Sequence, residues 1–209
     1  MNNSGPVPSA DGKRLFVIGA QLRGELARYD RKSGEFVPYL SGISADGVDF
    51  SKDGKWVVYV EYPDGTLWRS KVDGSERLRL TYPPIAAALP SWAPDGKRIA
   101  FVAVQPARPL KIYIVSVDGG IPQQMMPGEQ SECDPTWSPD GKSLAFDLFG
   151  EERAVRLLDL QSQRVTALPG SEGLFCPRWS PDGRYIVAQP KDQQKLFLLM
   201  RRAKSGRSL

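Results

Sequence analysis

The residues best placed to do chemistry together are Asp46, Asp49, Asp134 and Arg178. Each precedes one of five regularly spaced Asp-Gly pairs, whose aspartates are Asp11, Asp53, Asp95, Asp140 and Asp182. Four places before these aspartates stand Val7, Asp49, Ser91, Thr136 and Arg178. Six places before stand Gly5, Gly47, Leu89, Asp134 and Cys176, and seven before stand Ser4, Asp46, Ala88, Cys133 and Phe175. The flanking frame is constant while these positions vary, which is the pattern of a tailored pocket. Asp46, Asp49, Asp134 and Arg178 are therefore the candidate ligand-binding residues. Three carboxylates converging on one axis could meet a hard cation, which wants about six to eight oxygens. No ligand-spaced loop supports that, so neither a metal nor another cofactor is expected.

Other chemistry is excluded more firmly. The 209 residues contain no histidine, which removes His-dependent triads, His metal ligands and His general bases. No Gly-x-Ser-x-Gly elbow is present, and among 24 acidic residues nothing selects a glycosidase pair. No catalytic residue is assigned and the chain is not expected to be an enzyme. Net charge is +4, with seven basic residues against Asp192 between Arg184 and Leu209. Without interleaved aromatics this reads as a solvated end, and no nucleic-acid partner is expected. No stretch approaches a membrane span and no signal peptide is visible at the start. The compartment is left open, periplasmic or cytoplasmic as part of a larger protein.

The elements that must position these residues are legible from the repeat. The aspartates recur at steps of 42, 42, 45 and 42 residues. Ser-Pro-Asp-Gly is a tight turn in which aspartate accepts hydrogen bonds from the backbone just downstream and glycine supplies a positive φ. An apolar strand leaves each turn, such as Ile99 to Val102 and Leu144 to Phe146, and continuous apolar runs of this kind are buried on both faces. A second apolar run follows, such as Ile112 to Val117, and then a polar turn and a short fourth strand. Four-stranded antiparallel units recurring at this spacing are propeller blades. The expected fold is an all-β β-propeller of about five four-stranded blades, as an incomplete ring or a fragment of a larger one. A single domain over 1–209 would have blades at approximately 3–41, 44–82, 86–127, 131–169 and 173–209. Trp92, Trp137 and Trp179 read as packing between blades.

Trp92-Ala-Pro-Asp-Gly-Lys and Trp137-Ser-Pro-Asp-Gly-Lys, with Ile112-Tyr-Ile-Val-Ser-Val-Asp-Gly-Gly downstream, resemble the WD-like propeller repeat of the TolB type. The first two copies depart from it, with Pro8 and Phe50 at the tryptophan position. The resemblance implies a non-catalytic binding or protein-interaction propeller, a sensor or scaffold module of a larger bacterial protein. Its alternative implication is the substrate-gating propeller of a prolyl-oligopeptidase-like serine peptidase whose catalytic domain is absent. A protein or small ligand is expected at the channel mouth or rim. The last copy looks short of an outer strand, so Lys195 to Met200 would form an apolar sheet edge prone to self-association. Arg201-Arg202-Ala203-Lys204 stands where charge would blunt it. Cys133 and Cys176 are expected as two free thiols, because their register offset and the roughly 10 Å between stacked sheets exceed disulfide reach.

Overall fold

The five Asp-Gly turns of the repeat form as local chemistry requires. Asp11, Asp53, Asp95, Asp140 and Asp182 each accept a hydrogen bond from the backbone N–H two residues on, at 2.8–3.1 Å. In four copies the serine hydroxyl also donates to the same carboxylate. The turn glycines all have positive φ, from 66° to 72°. Each turn thereby joins two antiparallel strands in the same way.

The computed structural model describes residues 2–20, 23–150 and 153–200. These residues form nineteen strands. Three complete blades follow one another: β5 (Ala45–Phe50) to β8 (Leu78–Arg79), β9 (Ala86–Trp92) to β12 (Gln123–Gln124), and β13 (Ser131–Trp137) to β16 (Arg164–Ala167). Within them lie β6 (Trp56–Glu61), β7 (Thr66–Lys71), β10 (Arg98–Val104), β11 (Lys111–Ser116), β14 (Ser143–Phe149) and β15 (Val155–Asp159). A three-stranded sheet comes next, β17 (Leu174–Trp179), β18 (Tyr185–Pro190) and β19 (Phe197–Met200). The first strand of each blade packs beside the first strand of the next, β5 against β9, β9 against β13 and β13 against β17. These strands surround the axis.

The core lies between blades, as stacking of two-sided apolar strands demands. Trp92 packs with Val58, Val60 and Leu67 of the preceding blade and with Ile99 and Phe101 of its own. Trp137 does the same against Ala93, Ala100 and Ile112, and its Nε1–H donates to the Ser91 carbonyl at 3.0 Å. Burying one such ring contributes about 2–3 kcal/mol of the stacking.

The first copy differs from the four-stranded expectation. Its strands form two separate two-stranded sheets, β1 (Asn2–Pro8) with β2 (Leu15–Ala20) and β3 (Ala27–Asp30) with β4 (Glu35–Pro38). The second half is tied to the next blade: Leu26, Leu40 and Ile43 pack against Ala45, Val57 and Tyr59. Gly24 sits so close to this blade that a Cβ there would meet the Ala45 carbonyl oxygen at 2.2 Å. Among the described residues the first hairpin has no equivalent cover, and Val7, Leu15, Phe16 and Val17 are exposed. At the other end β19 is the outer strand of its sheet among the described residues, with Phe197, Leu198 and Met200 exposed, and the basic segment 201–204 lies outside the described residues. Among the described residues no helix is long and apolar enough to cross a membrane.

Candidate functional site: the axial cavity

The inner strands share an irregularity that decides which side chains reach the axis. In each of β1, β5, β9, β13 and β17 the register slips by one residue, which marks a β-bulge. At the slip Gly47, Leu89, Asp134 and Cys176 have φ of 77°, 49°, 50° and 52°. Left-handed backbone is ordinary for glycine and uncommon for leucine or cysteine. Proline follows in three of these strands, as Pro90, Pro135 and Pro177. Having no N–H to contribute, proline is at home where the ladder is already interrupted. Bulges of this kind re-aim side chains and often adjoin functional sites.

Beyond the bulges the four inner strands enclose a cavity of about 270 Å³. Asp49, Ser91, Thr136 and Arg178, all four places before the turn aspartate, line it together, and Asp134 lines it from the bulge of β13. Of the residues singled out in the sequence, Asp49, Asp134 and Arg178 are brought together. Asp46 does not line the cavity; it is exposed near the start of β5. The slip at Gly47 absorbs one residue, so Asp46 and Asp49 stand opposite Val60 and Val58 of β6, and Asp46 lies nearer the start of β5, away from the cavity.

The two wall carboxylates have different work. Asp49 accepts backbone N–H bonds from Phe50 at 2.8 Å and from Trp92 on the next blade at 2.7 Å, bracing β5 to β9. Burial nevertheless holds its carboxyl above the ordinary range. Asp134 accepts the Cys176 thiol proton at 3.2 Å and faces the Arg178 guanidinium at 3.8 Å. The Asp134 side chain is 12% exposed and that of Arg178 60%.

Behind Asp134 lies a group the sequence reading overlooked. Asp147 of β14 pairs in register with Cys133 and is 1% exposed, with Oδ1 lacking a hydrogen-bond partner among the described residues. Burial, reinforced by the nearby Asp134 charge, pushes its carboxyl up to about 6. Arg153, seated over the Phe175 ring at 4.5 Å, and the Cys176 N–H draw it back down. A signal was present, since Asp147 is the one charged residue inside the apolar run Leu144 to Leu148.

Both cysteines are free. Burial first, and then the neighbouring carboxylates, push the thiols of Cys133 and Cys176 up to about 12. The thiolate is the nucleophile, and an unperturbed thiol near 8.5 is far more ionised at pH 8. Alkylation of the native chain with iodoacetamide at pH 8 is therefore expected to run roughly 10³-fold slower than in urea, where two thiols react. Rapid native labelling at either position would contradict this environment.

Solved structures place this architecture among known folds. The chain superposes on a putative TolB from Agrobacterium tumefaciens with a TM-score of 0.69 and 21% identity, covering 86% of this chain and 66% of that one. The fold is a β-propeller. TolB from Acinetobacter baumannii matches with a TM-score of 0.61 and 17% identity over 95% of this chain and 49% of that one. A chain of the nidogen/laminin complex matches with a TM-score of 0.68 and 15% identity, covering 84% of this propeller and 67% of that chain. In sequence, an uncharacterized protein of Agrobacterium fabrum (strain C58) is 30% identical over 123 residues, 54% of this propeller and 42% of the relative. The propeller thus spans less than half of that curated relative and 66% of the Agrobacterium tumefaciens structure. No protein-family model matches the chain.

Proposed function

We propose that this chain is a non-catalytic binding propeller of the TolB-like kind that receives its ligand or partner at the axial cavity. The observation that carries the reading is the convergence of Asp49, Ser91, Thr136 and Arg178, one from each of four successive inner strands, on a single cavity. Their diversity within a repeating frame gives the axis a specific chemistry that no single blade has. Pockets that bind small groups combine an apolar wall with a few placed polar atoms. Val48, Leu89, Pro90 and Pro135 supply that apolar wall here. The resemblance of the fold to TolB proteins, and to a chain solved in the nidogen/laminin complex, agrees with a binding role.

Two-dimensional amide NMR of the whole chain with a library of small neutral, cationic and anionic fragments tests this. Shifts are expected to concentrate at the amides of residues 47–49, Leu89, Ser91, Asp134, Thr136 and Arg178. Shifts confined to the outer strands of the blades would overturn the axial reading.

A further inference from the structure

Resting on the axial reading, we propose that the cavity is built for the carboxylate end of a ligand, with Arg178 as the anion contact and the Ser91 and Thr136 hydroxyls as further donors. The commitment of each charged group decides the sign of the ligand. Both oxygens of Asp49 are held by backbone N–H groups, at 2.8 and 2.7 Å. Asp134 has one oxygen on the Cys176 thiol and is largely covered. Arg178 donates one Nη1–H bond to the Pro177 carbonyl at 2.7 Å, and its Nη2 stands 3.8 Å from Asp134, beyond hydrogen-bond reach. A guanidinium carries five donors in a planar fork, so this one is oriented by charge yet unsaturated. It is also the most exposed of the three charged groups.

The remaining wall narrows the class of anion. Asp49, Asp134 and Arg178 together carry a formal charge of −1, which repels a dianion such as phosphate more than a singly charged carboxylate. A carboxylate also matches the guanidinium fork with two parallel hydrogen bonds. Val48 and Leu89, 39% and 41% exposed, stand with Pro90 and Pro135 where the carbon chain behind the carboxylate would rest. About 270 Å³ holds the end of a chain and not a large cofactor. Two sources offer this chemistry, the C-terminus of a peptide and a free short-chain acid.

Calorimetric and NMR titration of the full chain with three probes separates them: N-acetyl-Ala-Leu as the free acid, the same peptide as its C-terminal amide, and butyrate. The free acid is expected to shift the amides of Leu89, Ser91, Asp134, Thr136 and Arg178, and amidation to weaken binding about tenfold or more. Arg178→Gln should weaken the free acid about as much while leaving the melting temperature nearly unchanged, and Thr136→Val should weaken it less. Butyrate binding as tightly as the peptide acid would assign the site to small acids; tighter binding of the peptide would assign it to chain termini. If the amide binds as well as the acid, or if only neutral or cationic fragments enter the cavity, the carboxylate proposal fails and the axial reading stands. If no probe or fragment of any charge reaches the cavity, both fail.

Discussion

Replacing Lys111 by methionine should cost about 3–5 kcal/mol of folding stability, the largest loss expected from any single polar substitution in this chain. Lys111 of β11 and Glu132 of β13 form an ion pair between neighbouring blades, with side chains only 8% and 4% exposed. The pair is completed on both sides. Glu132 Oε2 accepts the Ile112 N–H at 2.9 Å, and Lys111 Nζ also reaches the Gln130 carbonyl at 3.3 Å. Burial pushes the Glu132 carboxyl up, and the Ile112 N–H and Lys111 oppose that. Methionine fills much of the lysine volume but leaves the carboxylate buried without its cation. The double variant Lys111→Met, Glu132→Leu should recover most of the loss, because an apolar pair of similar volume avoids desolvating any charge. Urea midpoints of the parent, both single variants and the double variant measure this. A single variant as stable as its parent would show that the pair does not brace the two blades.

The opposite sign is expected at Asp147. Its carboxyl is moved from an ordinary 3.8 to about 6 by burial and by Asp134. A folded state that holds its proton more tightly than the unfolded chain loses stability as pH rises from about 4 to about 6, and keeps that deficit above. The deficit corresponds to about 3 kcal/mol. Asp147→Asn removes the charge while retaining an acceptor for the Cys176 N–H, so the variant should be more stable than the parent by about that amount at pH 7.5 and nearly equal to it at pH 4. Cys133, Asp134, Arg153 and Cys176 all act on this carboxyl, and none of them is altered by the substitution. The exposed turn carboxyls behave inversely. Asp11, Asp53 and Asp182 are held below the ordinary range, first by their serine hydroxyls, and they lose stabilisation as pH falls. That contribution is common to parent and variant and cancels in the difference. Urea unfolding at the two pH values is the measurement, and a variant less stable than the parent at pH 7.5 would mean the ionised carboxylate is needed where it is.

Asp147 also bears on the axial cavity, because it stands behind Asp134. A negative charge there adds to the repulsion on Asp134 and strengthens the demand for Arg153 and Arg178 as counter-charges. Wall and support are thus electrostatically one unit spanning β13, β14 and β17. The free cysteines belong to the same unit, since the Cys176 thiol orients Asp134 and Cys133 lies opposite Asp147.

How much of this was legible depends on the range over which each feature is determined. The blade frame was readable in the sequence because its determinants are local: in Ser-Pro-Asp-Gly the serine hydroxyl, the aspartate carboxylate and the glycine φ act within five residues. Strand order and core followed, since runs such as Ile99 to Val102 can be buried only by stacking on neighbours. The meeting of Asp49 and Arg178 was legible for the same reason, as equal offsets from equal turns arrive at one axis, and Asp134 joins them from two residues earlier, at the bulge of β13. Other features were decided only by the tertiary structure. The bulges at Gly47, Leu89, Asp134 and Cys176 depend on how an inner strand fits between its neighbours, and Asp46, nearer the start of β5, lies outside the cavity. The division of the first copy into two small sheets reflects where packing is available: Gly24, Leu26 and Leu40 find the next blade, and Leu15 and Phe16 do not. The titration of Asp147 is set by groups that reach it from separate strands and a loop, and no spacing along the chain encodes that enclosure.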